Sequence, residues 1–509
     1  MSTAGLQNEA LGSGTLWTAP PNDDVQLSEY IKNFIADHPE AQEALSNPVL
    51  SVPEEDDSHP LADYFISTSH NTYLLHNQLY GQASADSYTH VLSRHARCIE
   101  IDAWDASSPT PLGGVIVVHG HTLVRSIPFR EVVEAIGQAV DADPEGWPVW
   151  VALENHTGHA GQGEMVQVFE EVWGDKLVRE ELPDVGVITP RDLWGKILLE
   201  VEWYPESGAV QRHGIFNELH EEVKKMVQEV DPTLDPKVLP ELAALGVYAK
   251  SIKPHKDFLT KKMEQPSYAL MNISEKAAAE LLPTSLLDLI SNNGKHLMRV
   301  YPEGIRINSE NLVPHRFWRG GAHMPALNWQ KFDKGMQINE GFYAGTRGWV
   351  LKPPSLRADW DGSGKRNGTV FFAIRIVAGC NLPVAKGVTD GESVELGIKT
   401  EILHSTGDTI KRTKHVPARV SASGADAEWD DHEPLEWSYT DEELVQFRIL
   451  LVHGKWDGEQ DLGAFSAPVD RLQQGWRLVR LLDLTGRPTE GTLLIRIDIG
   501  KQGEGEVDA

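Results

Sequence analysis

The residues best suited to chemistry fall into four clusters: His70 and Asn71, Glu100 and Asp102, His119 and His121, and Glu154. Glu100 and Asp102 stand two apart, which puts both side chains on one face of a strand, where two carboxylates repel unless a cation lies between them. Asn71, Glu100, Asp102 and Glu154 together offer a carbonyl and three carboxylates, an all-oxygen set that suits a hard ion such as Ca²⁺. Zinc would favour more nitrogen or sulfur. Histidines outside such a set are free to move protons or to donate hydrogen bonds to a phosphate oxygen, so the constellation reads as phosphodiester cleavage. Any one of the 20 histidines is by itself more often a surface group, and Glu100 and Asp102 alone could be helix-capping or ion-paired carboxylates. The recurrence of four clusters after strand-like runs carries the reading, and spacing alone reaches a metal-assisted barrel hydrolase.

Such residues need elements that bring them together. From residue 64 to 204 the apolar runs YFIST, CIEIDAW, VIVVHGH, VWVALEN and KILLEVEW alternate with helix-like segments, the rhythm of βα units around a parallel sheet. In a (β/α)₈ barrel the C-terminal ends of different strands converge on one mouth, so distance in sequence does not prevent proximity. The rhythm resumes in SYALMNISE, AAAELL, SLLDLISNN, LMRVYPEG, MPALNWQ and GWVLKPP. After the break at DGSGKRNG come TVFFAIRIVAG, SVELGI, VQFRILLV and TLLIRIDI without long helices between them, which predicts an all-β sandwich. The expected division is a tail over 1–60 with a short helix in VQLSEYIKNFIADH, a first barrel half over 61–204, a charged linker over 205–236, a second half over 237–358, and a sandwich over 366–500.

At 509 residues the chain exceeds the ~250–300 at which single cores usually split. The formal net charge of −29 argues against nucleic acid and against unaided attraction to an anionic membrane. No apolar run approaches the ~18 residues needed to cross a bilayer, so membrane contact is expected to be peripheral and transient. The N-terminus lacks the basic start and apolar core of a secretory signal, and only Cys98 and Cys380 are available for a disulfide, so a reducing, cytoplasmic setting is expected.

Read together, YFISTSHNTYLLHNQLYGQAS, RCIEIDAWD, VVHGHT and ALENH resemble the X region of the eukaryotic phosphoinositide-specific phospholipases C. RVYPEGIRINSENLVPHRFWRGGAHMPALNWQ with GFYAGTRGWVLKPPSLR resembles that family's Y region, and residues 366–500 its C2-type domain. The resemblance implies a TIM-type barrel in two halves followed by a C2-type β-sandwich, with a membrane phosphoinositide as substrate and Ca²⁺ as cofactor. It assigns Asn71, Glu100, Asp102 and Glu154 to the metal, His70 to the charged phosphorus, His119 to the leaving glycerol oxygen, and Glu100 also to the inositol 2-hydroxyl. Arg299 and Tyr301 match headgroup contacts, and Asn272 stands where the family has a contacting serine; the bland reading of Arg299 is one arm of a barrel salt bridge.

Departures accompany the matches. Where the family places two lysines that grip the 4- and 5-phosphates, this chain has Glu200 and Glu202, with Lys196 nearby as a possible replacement charge. The positions matching a membrane-inserting rim are Leu79, His121, Leu123, Ala279 and Ile305. In the sandwich, Asp390 and Asp457 lack the close pairing expected of a calcium-binding loop. No EF-hand loop is expected in the first 60 residues, nor space there for a pleckstrin-type domain. A glycerophosphodiester phosphodiesterase and a catalytically silent lipid-binding scaffold are the alternatives. HNTYL and the Y-like half oppose the first, and the intact histidines and ligand set oppose the second.

Overall fold

Every residue from Val149 to Leu153 is buried, and the strand first meets solvent at Glu154. That is the burial of a strand covered on both faces, as parallel strands are when helices flank the sheet. In the computed structural model the described residues are 13–204 and 237–502, apart from short stretches at 22–24, 76–77, 79–81, 111–112, 121, 123, 184, 262–264, 305, 307, 364–365, 367, 431–432 and 456–457. The expected 205–236 linker lies outside them.

Eight strands make the barrel: β1 Thr68–Ser69, β2 Cys98–Thr110, β3 Val149–His156, β4 Ile197–Glu202, β5 Lys250–Ile252, β6 Ala269–Ser274, β7 Leu297–Tyr301 and β8 Met324–Leu327. Each pairs in parallel with the next, and β8 and β2 both pair with β1, which closes the sheet. Helices cover the outside. In Phe129–Asp141, Phe129, Val132, Val133, Ile136 and Val140 recur at helical spacing and form its buried face. AAAELL and SLLDLISNN fall in one helix, Glu275–Asn293, capped by the Ser274 hydroxyl and kinked at Ser285 just after Pro283.

Two runs expected in the barrel wall are not there. The first three residues of VIVV belong to the strand Gly113–Val117, which pairs antiparallel with β2. The physical reason is the connection: Thr110 pairs with Gly113, and so short a link makes a hairpin, whereas a parallel return needs a long crossover. GWVL likewise pairs antiparallel, Trp349–Leu351 with Tyr64–Ile66, so of YFIST only Thr68, with Ser69 after it, serves the barrel.

Residues 369–502 form ten antiparallel strands of a C2-like sandwich, in which Ser393–Leu403 pairs with both Val416–Ser421 and Gln446–Lys455. The sandwich sits directly on the barrel helix Lys334–Tyr343. A Cβ at Gly341 would lie 2.0 Å from the Ser466 carbonyl oxygen, so the approach needs glycine. Arg448 donates to Gln337 at 2.7 Å and to Glu401 at 2.8 Å, and Lys334 stands 3.2 Å from Glu401. The expected N-terminal helix is Glu29–Asp37, whose Ile31, Phe34 and Ile35 pack with Trp476, Leu478 and Leu494 of the sandwich. Cys98 and Cys380 are both buried and unpaired, one in the barrel and one in the sandwich.

Candidate active site

His70 and Asn71 follow directly on β1. Asn71 has φ 45°, in the left-handed region that asparagine tolerates better than most residues. Its N–H donates to Glu100 Oε2 at 2.8 Å, and its side-chain nitrogen to Gln78 Oε1 at 2.7 Å. Strand register sets Glu100 beside Ala152, which in turn lies beside Glu200 on β4, and sets Asp102 beside Glu154, so carboxylates of β2, β3 and β4 fall in two successive rows.

Oxygens of Glu100, Asp102 and Glu154 lie within 4.8 Å of one another. Asp102 is buried; its Oδ2 accepts from the Tyr73 hydroxyl at 2.6 Å, while Oδ1 has no hydrogen-bond partner. Burial pushes the Asp102 pKa well above the carboxylate range, and the charges of Glu154 and Glu100 add to the rise. An unmet buried oxygen among like charges is what a cation would relieve, so this all-oxygen set fits a hard divalent metal. Against partial desolvation, a hydrogen bond from His156 at 3.0 Å holds the Glu154 pKa down, and His156 is itself stacked on Trp104 at 4.1 Å.

Both candidate catalytic histidines are held by Nδ1. His119 donates from it to the Gln78 backbone carbonyl at 2.8 Å, an acceptor that fixes the proton on Nδ1 and leaves Nε2 for proton exchange. His70 Nδ1 meets Asn328 Oδ1 at 2.9 Å, and its Nε2 is 4.0 Å from Glu100 Oε2. Burial pushes the His70 pKa down, against the opposing pull of Glu100. The structure places His119 beyond the hairpin strand Gly113–Val117 rather than at the end of a barrel strand, yet Gln78 ties it to the same mouth.

Arg299 on β7 is buried, donating to Glu100 Oε1 at 2.7 Å and to Asn272 Oδ1 at 3.4 Å. Burial alone would lower its pKa, but Glu100 and Glu200 outweigh it and the pKa is raised. Glu200 is 2% exposed, with Oε2 unpartnered, and burial raises its pKa despite Arg299 and Ser251. Glu202 is half-buried and accepts from Tyr204 at 2.7 Å and Lys237 at 3.0 Å. Lys196 donates to the Asp175 carbonyl ahead of β4 and is not the lysine that meets these glutamates. Tyr301 ends β7, its pKa pushed up by burial and its ring within electrostatic reach of Arg299 and Glu154.

Of the expected rim, Leu79, His121, Leu123 and Ile305 lie outside the described residues, and Ala279 is half-buried against the core. Asp390 is exposed in a sandwich loop, and Asp457 is outside the described residues. Sequence reasoning gave no role to Tyr73, Gln78, His156, Lys237 or Asn328. Tyr73 and Gln78 lie inside the run quoted around His70, and His156 closes ALENH, but neutral or common side chains give no spacing pattern that marks them as functional.

The description "Phosphatidylinositol-specific phospholipase C, X domain" matches residues 57–203, and the corresponding Y domain matches residues 242–355. The 1-phosphatidylinositol 4,5-bisphosphate phosphodiesterase delta-3-A of Danio rerio is 30% identical over 474 residues, spanning 88% of this chain and 58% of that protein. The human delta-1 enzyme of the same name is 30% identical over 473 residues, spanning 87% of this chain and 61% of that protein. The chain therefore spans about three fifths of the curated relatives it matches. The crystal structure of L. pealei PLC21 shares the fold, with a TM-score of 0.69 and 24% identity over 89% of this chain and 57% of that one.

Proposed function

Because the chain belongs to the eukaryotic phosphoinositide-specific phospholipases C, we propose that it cleaves phosphatidylinositol or its phosphorylated forms to diacylglycerol and an inositol phosphate, with calcium as cofactor. The observation that carries this reading is the convergence of two Nδ1-anchored histidines, a three-carboxylate cluster and one buried arginine at a single barrel mouth. Asn71, Glu100, Asp102 and Glu154 would hold the calcium. Bound there, calcium lowers the pKa of the inositol 2-hydroxyl and neutralises phosphoryl charge.

The chain's own groups do the rest. Glu100 takes the 2-hydroxyl proton as that oxygen bonds to phosphorus. His119 Nε2 delivers a proton to the glycerol oxygen as its bond to phosphorus breaks, and His70 faces the charge that builds on the phosphoryl group. The first products are a cyclic inositol phosphate and diacylglycerol, and water then opens the ring with the acid and base roles exchanged. Asn272, Arg299 and Tyr301 line the headgroup side, and the β4 glutamates favour free hydroxyls over phosphates there.

The reading places the enzyme at a lipid surface, and among the described residues no helix is long and apolar enough to cross a membrane. The deciding experiment measures release of inositol phosphate from phosphatidylinositol vesicles across a calcium titration, with glycerophosphoinositol in parallel. Calcium-dependent cleavage of the lipid supports the reading; cleavage of glycerophosphoinositol alone points to the phosphodiesterase, and no cleavage of either to a scaffold.

A further inference from the structure

Gln78 is 8% exposed and commits all of its side-chain amide inside the site. Its Oε1 accepts from Asn71 at 2.7 Å, and its Nε2 donates to Asn328 Oδ1 at 3.1 Å and to Ser309 Oγ at 3.2 Å. Its backbone carbonyl accepts from His119 Nδ1 at 2.8 Å. Glutamine suits this place because one side chain supplies an acceptor and two donors. Glutamate lacks the donors, and methionine lacks both at similar length. Asn328, on which Gln78 leans, is secured independently: its N–H donates to Asn311 Oδ1 at 2.6 Å and its side-chain nitrogen to the Glu310 carbonyl at 3.3 Å. His70 therefore keeps its own anchor on Asn328 when Gln78 is altered, whereas His119 hangs on the Gln78 carbonyl.

We infer that Gln78 is the positioning residue for the general acid: its amide, clamped between Asn71, Ser309 and Asn328, fixes the carbonyl that orients His119 and selects its Nδ1–H tautomer. This rests on the reading of His119 as the acid that protonates the glycerol oxygen. Gln78 itself touches neither substrate nor reacting atoms.

The test compares two leaving groups in the full chain at saturating calcium, so that loss of the Gln78 contact to Asn71 does not limit metal occupancy. Phosphatidylinositol expels a glycerol alkoxide that needs a proton, while the 4-nitrophenyl ester of inositol 1-phosphate expels a phenolate that needs none. Gln78→Met should lower kcat on phosphatidylinositol by about tenfold or more with little change in KM, as misplacing a catalytic group does, and leave the aryl ester within about threefold of wild type. His119→Ala should show the same selectivity, larger. If Gln78→Met is equally impaired on both substrates, or on neither, while His119→Ala is selective, the inference fails and the reading of His119 stands. If His119→Ala is not selective, the reading itself fails. Should Gln78→Met not fold, Gln78→Glu, which keeps the Asn71 contact and loses both donors, is judged by the same criterion.

Discussion

The guanidinium of Arg299 and the carboxylate of Glu100 meet at 2.7 Å in the floor of the barrel mouth, both residues buried. Arg299 also faces Glu200, so a single cation offsets two buried acids from different strands. A salt bridge and a headgroup contact are then not exclusive roles for this residue, and the two separate experimentally.

Arg299→Met should destabilise the fold by about 3–5 kcal/mol, because it strands the Glu100 charge in the interior. Adding Glu200→Gln removes one acid that leaned on the arginine and should recover part of that loss. If Arg299 also binds the headgroup, the double variant stays poorly active after its melting temperature rises. Recovery of activity in step with stability would assign Arg299 to structure alone.

Asp102→Asn and Glu154→Gln each remove a charge from the acidic cluster, and each should raise the calcium concentration needed for half-maximal activity. Their effects on the metal-free protein should differ in sign. Asp102 is buried with an unmet oxygen and a pKa pushed up by burial and its acidic neighbours, so the neutral amide should stabilise the apo fold. Thermal melts in chelator and in calcium, with direct calcium titration calorimetry, check both. Loss of apo stability in Asp102→Asn, together with unchanged calcium affinity, would show that Asp102 serves packing.

Where barrel meets sandwich, burial works against Glu401, but Arg448, Lys334 and Lys399 prevail and hold its pKa at about 2, from an ordinary 4.5. A pKa lowered on folding stabilises above the unfolded value and is lost as pH falls from about 4.5 toward 2, and a gap of that size corresponds to ~3 kcal/mol. Glu401→Gln should therefore unfold more readily at pH 7, by up to about that amount, and the gap to wild type should narrow by roughly half at pH 3 and close only as the pH falls below about 2. Denaturant unfolding at pH 7, 5 and 3 measures it. A gap that is independent of pH would mean that the ion pairs contribute nothing beyond packing.

The barrel was legible because continuous apolar runs alternate with helix-like segments: VWVALEN and KILLEVEW announce buried strands with acids toward their C-terminal ends, and β3 and β4 are those strands. The hairpin was not, because VIVV reads the same whether its neighbour runs parallel or antiparallel, and only the short Thr110 to Gly113 connection decides. At the site, charged residues at strand ends stood out, whereas Gln78 and Asn328 are neutral and meet across 250 residues of sequence. Likewise Lys237 rather than Lys196 reaches Glu202, because Lys196 precedes β4 and Glu202 ends it. Proximity along the chain misleads wherever a strand separates two residues by its full length.

That last contact bears on substrate choice. Glu200 and Glu202 occupy inward positions on β4; the first is buried with its pKa raised, and the second is already paired with Lys237. Neither offers a positive charge to a headgroup phosphate, and Lys237 is neutralised by Glu202 itself. A charge at ~4 Å contributes of order 1–4 kcal/mol depending on screening, so reversing its sign matters more than removing it. Phosphatidylinositol or a monophosphate should accordingly be cleaved at least as fast as the 4,5-bisphosphate, at equal surface fraction in neutral vesicles. Glu202→Lys alone frees Lys237 while adding a second cation, and should move the preference toward the bisphosphate without disturbing the buried Arg299 pair. Glu200→Lys with Glu202→Lys should move it further, at a cost in stability, because Glu200 lies beside Arg299 in the interior. Initial rates on the three lipids, for wild type and both variants, give the answer. A wild-type preference for the bisphosphate that neither variant alters would show that the β4 glutamates do not face the headgroup.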